Sequence, residues 1–226
     1  MNLVFCSFYN VKVDAKSGQV AWECSHDLSE YIRKELSVPD SALSQQLSRH
    51  STSLSILELG CGKGIPGCAL LSALDEISYP GLVSMCFQDY DEGTLDSITR
   101  PAVETHVDSL SDLFKSRLST SYVASSWESM TIPPGSMNII LSSECIYRSD
   151  LFSSHAAIVS QSMCEDGLSL IAGKRYYFGC GGGTIEFSEY LSSSNLRADL
   201  AQVFDNGFSN TREILLVSKS SSDSPS

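Results

Sequence analysis

Apolar residues in this chain gather in short runs at 54 to 59, 82 to 87, 121 to 124, 138 to 142 and 168 to 172, each about as long as a buried strand. Between them, at 66 to 77, 91 to 117 and 150 to 163, apolar positions recur at helical spacing. Strands alternating with helices predict a mainly parallel sheet with helices on both faces, because parallel neighbours need a crossover and a helix supplies it. Near the end the rhythm changes. Residues 199 to 204 and 212 to 217 flank Asp205-Asn206-Gly207, a turn-forming cluster that predicts an antiparallel hairpin.

Upstream of the alternation, Leu3 to Val13 holds strand-like residues and Val20-Ala21-Trp22 forms another short apolar run. Asp27 and Glu30 stand at capping-box spacing, and Leu28, Tyr31, Ile32 and Leu36 share one face, which predicts a helix. Residues 37 to 53, rich in Ser and Gln with one Pro, read as a loop or a weak surface helix. The Ser-rich segment 218 to 226 reads as a disordered tail. The expected organisation is a lead-in over 1 to 53 that covers the site, an α/β core over 54 to 217, and that tail. No internal repeat is visible.

At 226 residues the chain suits one domain with a substantial core, and 42% hydrophobic against 19% charged residues is a globular composition. No segment approaches the roughly 20 apolar residues a membrane helix needs. Met1 to Phe8 has neither a basic flank nor a small-residue cleavage pattern, so the expected location is cytoplasmic or nuclear. The net charge of -12 is scattered. That disfavours general binding to nucleic-acid backbones, which takes clustered Lys and Arg, and makes a basic protein the natural partner. Eight cysteines form no C-x-x-C pair and have no companion histidine spacing, so they read as free thiols and no metal is expected. His26, His50, His106 and His155 read as surface or packing residues.

Candidate chemistry begins where the first strong strand ends, in Gly60-Cys61-Gly62-Lys63-Gly64, before a helix near Pro66 that buries Ala69, Leu70, Leu71 and Leu74. Glycines there let the chain turn sharply and let a ligand approach the backbone. In open α/β sheets ligands bind in that crevice, beyond the carboxyl ends of the strands. Gly62-x-Gly64-x-x-Gly67 also satisfies a dinucleotide pattern, so the glycines alone leave a nicotinamide enzyme open. Glu58 lies inside the strand and needs a partner to be buried. The second strand runs into Gln88-Asp89-Tyr90-Asp91, where a carboxylate can accept both hydroxyls of a ribose; Asp89 is the first candidate and Asp91 the fallback. Both S-adenosylmethionine and NAD carry that ribose, but no Tyr-x-x-x-Lys pair for hydride chemistry is present and the hairpin argues against the NAD reading.

The run Leu57-Glu58-Leu59-Gly60-Cys61-Gly62-Lys63-Gly64 resembles the first motif of class I methyltransferases. Four further runs resemble, in order, motifs of the protein-histidine N-methyltransferases. They are Trp22-Glu23-Cys24-Ser25-His26-Asp27-Leu28, Phe87-Gln88-Asp89-Tyr90, Ser142-Ser143-Glu144-Cys145-Ile146-Tyr147 and Lys174-Arg175-Tyr176-Tyr177-Phe178-Gly179-Cys180-Gly181-Gly182-Gly183. The resemblance spans about residues 20 to 217. It departs at Ser125-Ser126-Trp127, where Gly-Asp-Trp is expected.

The resemblance implies a Rossmann-like class I fold, α/β, with a mainly parallel seven-stranded sheet and helices on both faces. It implies S-adenosylmethionine as cofactor, S-adenosylhomocysteine as product, and methylation of a histidine imidazole in a protein such as a large-subunit ribosomal protein, by a monomer. Trp22 and Glu23 would close over the cofactor; Glu58 would organise the site for its methionine part. Gly60, Cys61, Gly62 and Gly64 would admit it, and Asp89 would hold the ribose. Tyr90, Trp127 and Ser142 complete the cofactor set, with Trp127 over the adenine or filling core. Glu144 and Tyr147 would face the acceptor, Glu144 fixing its tautomer or capping the helix near Asp150. Tyr177, Phe178, Gly181, Gly182 and Gly183 would contact the substrate, the glycines as an adaptable loop or as a plain connection to a helix. A lysine-directed methyltransferase and a non-catalytic module on the same fold are the alternatives.

Overall fold

A computed structural model describes residues 20 to 220 apart from 206, 208 and 209. The strand-like segment Leu3 to Val13 and residues 221 to 226 therefore lie outside the described residues. Seven strands, β1 (Ser53–Leu59), β2 (Leu82–Asp89), β3 (Leu118–Ala124), β4 (Met137–Ser143), β5 (Met163–Lys174), β6 (Leu196–Phe204) and β7 (Arg212–Lys219), form one sheet. Its order is β3-β2-β1-β4-β5-β7-β6. The first five are parallel; β7 runs antiparallel between β5 and β6. The expected parallel sheet and closing hairpin are both present. The central strands were legible because burial on both faces makes them continuous apolar runs. β3, at an edge, starts three residues before its apolar run, with Ser119, Thr120 and Ser121 exposed.

One face of the sheet is covered by α1 (Glu23–Leu36), α2 (Ala42–Arg49), α3 (Ile65–Glu76) and α5 (Arg100–Asp108). The other is covered by α7 (Phe152–Ser162) and α8 (Thr184–Leu191). Several elements differ from expectation. The first helix starts at Glu23 behind Trp22, and no capping box forms at Asp27. Its buried stripe of Cys24, Leu28, Tyr31 and Ile32 extends a turn further back, so packing sets the start. Asp27 instead pairs with Arg212 on β7, Oδ2 to Nε at 2.5 Å.

Segment 37 to 53 contains α2, capped by the Ser41 hydroxyl and burying Leu43, Gln46 and Leu47. The lead-in thus shares its core with Leu54 and Ile56 of β1. The stretch 91 to 117 is broken into α4 (Glu92–Thr94), a π-helical stretch Leu95–Thr99, α5 and α6 (Asp112–Lys115). α8 went unread in the sequence. β7 continues through Ser218 and Lys219, two residues into the expected tail, because they pair with Arg197 and Leu196. No described helix is long and apolar enough to cross a membrane.

Candidate active site

Beyond β1 the chain turns through Gly60, Gly62 and Gly64 at φ of 57°, 47° and 68°, the left-handed region that side chains resist. A Cβ at Gly60 would stand 2.5 Å from the Cys145 Sγ, and one at Gly64 would be 3.0 Å from the Phe87 ring. The loop is held from beneath by carboxylates and amides. Glu58, 1% exposed, accepts the Gly67 N–H through Oε2 at 2.9 Å. Burial pushes its carboxyl up to about 8, against the Gly67 donor and with Asp89 adding repulsion. Glu58 therefore staples the start of α3 to β1.

Asp89, 5% exposed, accepts the Gly62 N–H through Oδ2 at 3.0 Å and the Asp91 N–H through Oδ1 at 3.2 Å. Burial raises its carboxyl, and these backbone donors oppose the rise. The fallback Asp91 caps α4 instead: its Oδ2 accepts both the Thr94 N–H and hydroxyl, and the Thr94 hydroxyl is the main reason its carboxyl titrates low.

Beside this cradle, the chain leaving β4 reaches Glu144 at φ +58°, a rare conformation for a non-glycine residue. Its N–H donates to Ala172 O at 2.9 Å, fastening it to β5. The Tyr177 hydroxyl donates to Oε2 and accepts the Lys174 N–H at 3.1 Å. Oε1 is buried and has no hydrogen-bond partner among the described residues. Burial first, then the charge of Glu144, drives the Tyr177 phenol well above its ordinary value. The fully buried Cys24 thiol of α1 is raised in the same order, and it also shares a hydrogen bond with the Glu144 carboxylate. Tyr147 meets Tyr177 edge to face at 6.3 Å, and the Lys174 ammonium lies 5.9 Å from the Trp22 ring and 5.8 Å from that of Tyr177.

The glycine segment after β5 is a stitched connection into α8. Tyr177 N–H donates to Gly182 O at 2.9 Å and Gly183 N–H to Ile146 O at 3.0 Å, while Gly181 bridges Arg148. A Cβ at Gly182 would overlap the backbone of Ile146 and Tyr147. Gly182 and Gly183 are required by backbone crowding, and Gly181 by its φ of 69°, an arrangement that suits the plain connection to a helix, the other of the two readings. Phe178 at the loop's tip is 84% exposed.

The structure brings Glu58, Gly60, Cys61, Gly62, Gly64 and Asp89 together, and gathers Glu144, Tyr147, Tyr177 and Trp22 in a second group. Tyr90 is exposed beyond β2. Cys61 contributes backbone only, its N–H on Gln88 O at 2.8 Å and its thiol buried. Three expected cofactor residues do not present their side chains to the cradle. The Ser142 hydroxyl, fully buried, is 2.9 Å from His155 Nε2. Trp127 packs edge-on to His155 at 5.0 Å and donates its indole N–H to Gln88 Oε1 at 2.9 Å, the core-filling role. Glu23 is exposed and points toward Arg212, 3.9 Å away. Glu144 does not cap a helix, since the next helical turn begins at Ser149 behind Arg148.

Sequence reasoning missed Gln88 and Thr99. Gln88, 1% exposed, accepts the Gly60 N–H at 3.0 Å and donates to Ser125 O at 2.7 Å, so it ties the glycine loop to the loop after β3. A polar amide inside an apolar strand was the available signal. Thr99 donates its hydroxyl to Gly62 O from the π-helical stretch, which no local pattern announced.

At the opposite, amino-terminal end of the central strands, ligand atoms of His50, Cys164 and Asp166 lie within 4.8 Å of one another. The Asn138 amide nitrogen is 3.2 Å from His50 Nδ1. An amide can only donate there, so Nε2 keeps the proton and faces Asp166 at 3.4 Å, the wrong tautomer for a ligand.

A family model described as "Lysine methyltransferase" matches residues 9–177. The chain belongs to this family. Among curated relatives of this lysine methyltransferase family member, "Histidine protein methyltransferase 1 homolog" of Dictyostelium discoideum is 28% identical over 208 residues, covering 89% of this chain and 58% of the relative. "Histidine protein methyltransferase 1" of Schizosaccharomyces pombe is 26% identical over 209 residues, covering 78% and 57%. The chain thus spans a little over half the length of these relatives. Among solved structures, the DszA carbon methyltransferase has a TM-score of 0.61 at 12% identity, covering 89% of this chain and 55% of that one. Magnesium protoporphyrin IX methyltransferase from Synechocystis, with bound SAH, has a TM-score of 0.55 at 11% identity, covering 86% and 83%. These likenesses are of fold: the family member has the class I methyltransferase sheet.

Proposed function

We propose that the chain is an S-adenosylmethionine-dependent protein methyltransferase that acts on a histidine imidazole nitrogen and releases S-adenosylhomocysteine. The observation that carries this reading is a juxtaposition at the ends of neighbouring parallel strands. Leu59 of β1 pairs with Ser142 of β4, so the glycine cradle and Glu144 open side by side. The cradle fits an adenosyl ligand: the backbone N–H groups of Gly62, Tyr90 and Asp91 orient the Asp89 carboxylate, whose two oxygens have acceptor capacity left for ribose hydroxyls. The donor supplies an electrophilic methyl group on a sulfonium. The chain's residues align a neutral nucleophile with it and exclude water.

Imidazole, with an ordinary pKa near ~6.5, is largely neutral at cell pH and needs no strong base. Trp22 lies where it can close over the donor; Glu144 and Tyr147 meet the acceptor, and exposed Phe178 offers its chain an apolar contact. Histidine as acceptor is supported by the names of the relatives, and a large-subunit ribosomal protein by the sequence resemblance. A monomer in the cytoplasm or nucleus follows from the same reading. A lysine acceptor is the second reading, favoured by the family description.

Incubating the purified chain with methyl-labelled S-adenosylmethionine and large ribosomal subunits, followed by hydrolysis to amino acids, separates them. Labelled methylhistidine is expected. Methyllysine would move the assignment to the second reading, and no label in any protein fraction would leave a non-catalytic module.

A further inference from the structure

The Glu144 carboxylate is used on one side only. Its Oε2 holds the Tyr177 hydroxyl proton, whereas Oε1 is buried with no N–H or O–H donor among the described residues, only the weak thiol donor of Cys24 lying within reach of the carboxylate. An unpaired acceptor in a buried place is costly, and a catalytic role is one reason for a fold to keep it. The backbone beneath it, at φ +58°, stores a further conformational cost that the bond from Glu144 N–H to Ala172 O offsets. Tyr177 is itself fixed. Its N–H is on Gly182 O and its hydroxyl accepts the Lys174 N–H, so its only proton points at Glu144. Tyr177 is in turn held by Gly182, which packs against the Ile146 and Tyr147 backbone with no room for a Cβ.

We propose that Tyr177 is a positioning residue: by occupying Oε2 it aims Oε1 of Glu144 at the single N–H of a neutral acceptor imidazole, and so selects that ring over a lysine amine. The proposal rests on the methyltransferase reading above and adds what sets its acceptor. A neutral imidazole has one N–H and one lone pair on its two nitrogens, so one acceptor oxygen fixes the tautomer and leaves the other nitrogen free. A lysine amine arrives protonated, with three donors and a pKa near ~10.4, and one free oxygen neither satisfies nor deprotonates it well. As the ring's lone pair forms the N–CH3 bond the S–CH3 bond breaks, its electron pair staying on sulfur, and the positive charge passes to the ring. The N–H to Oε1 bond becomes charge-assisted. That proton leaves through the carboxylate to water as the product departs.

The test uses the full chain saturated with S-adenosylhomocysteine at pH 8.5, titrated by ligand-observed NMR with 4-methylimidazole, 1,4-dimethylimidazole, which has no N–H, and n-butylamine. The wild type is expected to bind 4-methylimidazole about ten-fold more tightly than either other probe. Tyr177→Phe should reduce the preference to within about two-fold while S-adenosylhomocysteine affinity stays unchanged, and should lower kcat more than KM on any labelled acceptor. Glu144→Gly, which suits the positive φ, should lose the preference as well and carries the test if Tyr177→Phe folds poorly. No preference in the wild type, or a preference that survives both variants, overturns the proposal. A wild type that prefers the N–H ring yet labels no protein refutes the methyltransferase reading alone.

Discussion

Gln88 joins two loops through one amide: Oε1 takes the Gly60 and Trp127 N–H groups and Nε2 reaches Ser125 O. Gln88→Leu keeps the volume and leaves three groups without partners. At about 1–3 kcal/mol for each buried orphan, and with less than full additivity, the loss of stability should be about 3 kcal/mol or more, read by urea unfolding. A loss under about 1 kcal/mol would mean that water replaces the amide. Asp89→Ala should weaken S-adenosylhomocysteine binding by roughly 1 to 3 kcal/mol in calorimetry, and unchanged affinity would remove Asp89 from the ribose role. The glycine loop, Glu58 and Asp89 were legible in the sequence because each violates a local rule that only a site or a staple repairs. Ser142 and Trp127 were harder. Ser142 shares its strand face with Ile140, toward α7, where its hydroxyl meets His155 Nε2, and strand alternation read from that face would have shown it.

At the scale of elements, the loop from β5 to α8 is built against the chain leaving β4, and Gly182 is where they touch. Gly182→Ala has to push the Ile146 and Tyr147 backbone away, a strain of about 1–3 kcal/mol by analogy with overpacked cores. The expected result is a lower melting temperature and at least a ten-fold loss of methyl transfer, with S-adenosylhomocysteine affinity held within about two-fold. Equal loss of both would place the damage in the cradle instead. Here the sequence was legible where burial is two-sided, as in β1, β4 and β5, and illegible where an element depends on partners far along the chain. The start of α1 is fixed by Cys24 and Leu28 packing into the core, since the Asp27 carboxylate goes to Arg212 of β7. α8 is only Thr184–Leu191, too short for periodicity to announce, and holds through Phe187 and Leu191 in the core. The break in the helical stretch after β2 is set by Thr99 reaching Gly62 O.

For the whole molecule, two buried groups shape stability against pH in opposite senses. His155 is fully buried and its imidazole is pushed down from 6.5 to about 4 by burial, so it is neutral in the native state. Below pH 6.5 the unfolded chain binds a proton there that the native one refuses, and stability is lost as pH falls from 6.5 to about 4, by up to about 3 kcal/mol. Glu58 is raised from 4.5 to about 8, so between those values the native carboxyl keeps a proton that the unfolded chain has released. Its contribution is lost as pH rises through that window, by up to about 5 kcal/mol. From pH 4.5 to 6.5 the two slopes oppose each other and stability should be nearly flat; from 6.5 to 8 only the Glu58 slope remains and stability should fall. Glu58→Gln, which cannot ionise and can still accept the Gly67 N–H, should match the wild type near pH 4.5 and exceed it at pH 8, with the gap opening across the window. Urea unfolding of both chains at half-unit pH steps decides it. Parallel curves would mean that Glu58 is ionised in the native protein and stabilised by its neighbours, and the staple between β1 and α3 would then be a charged one.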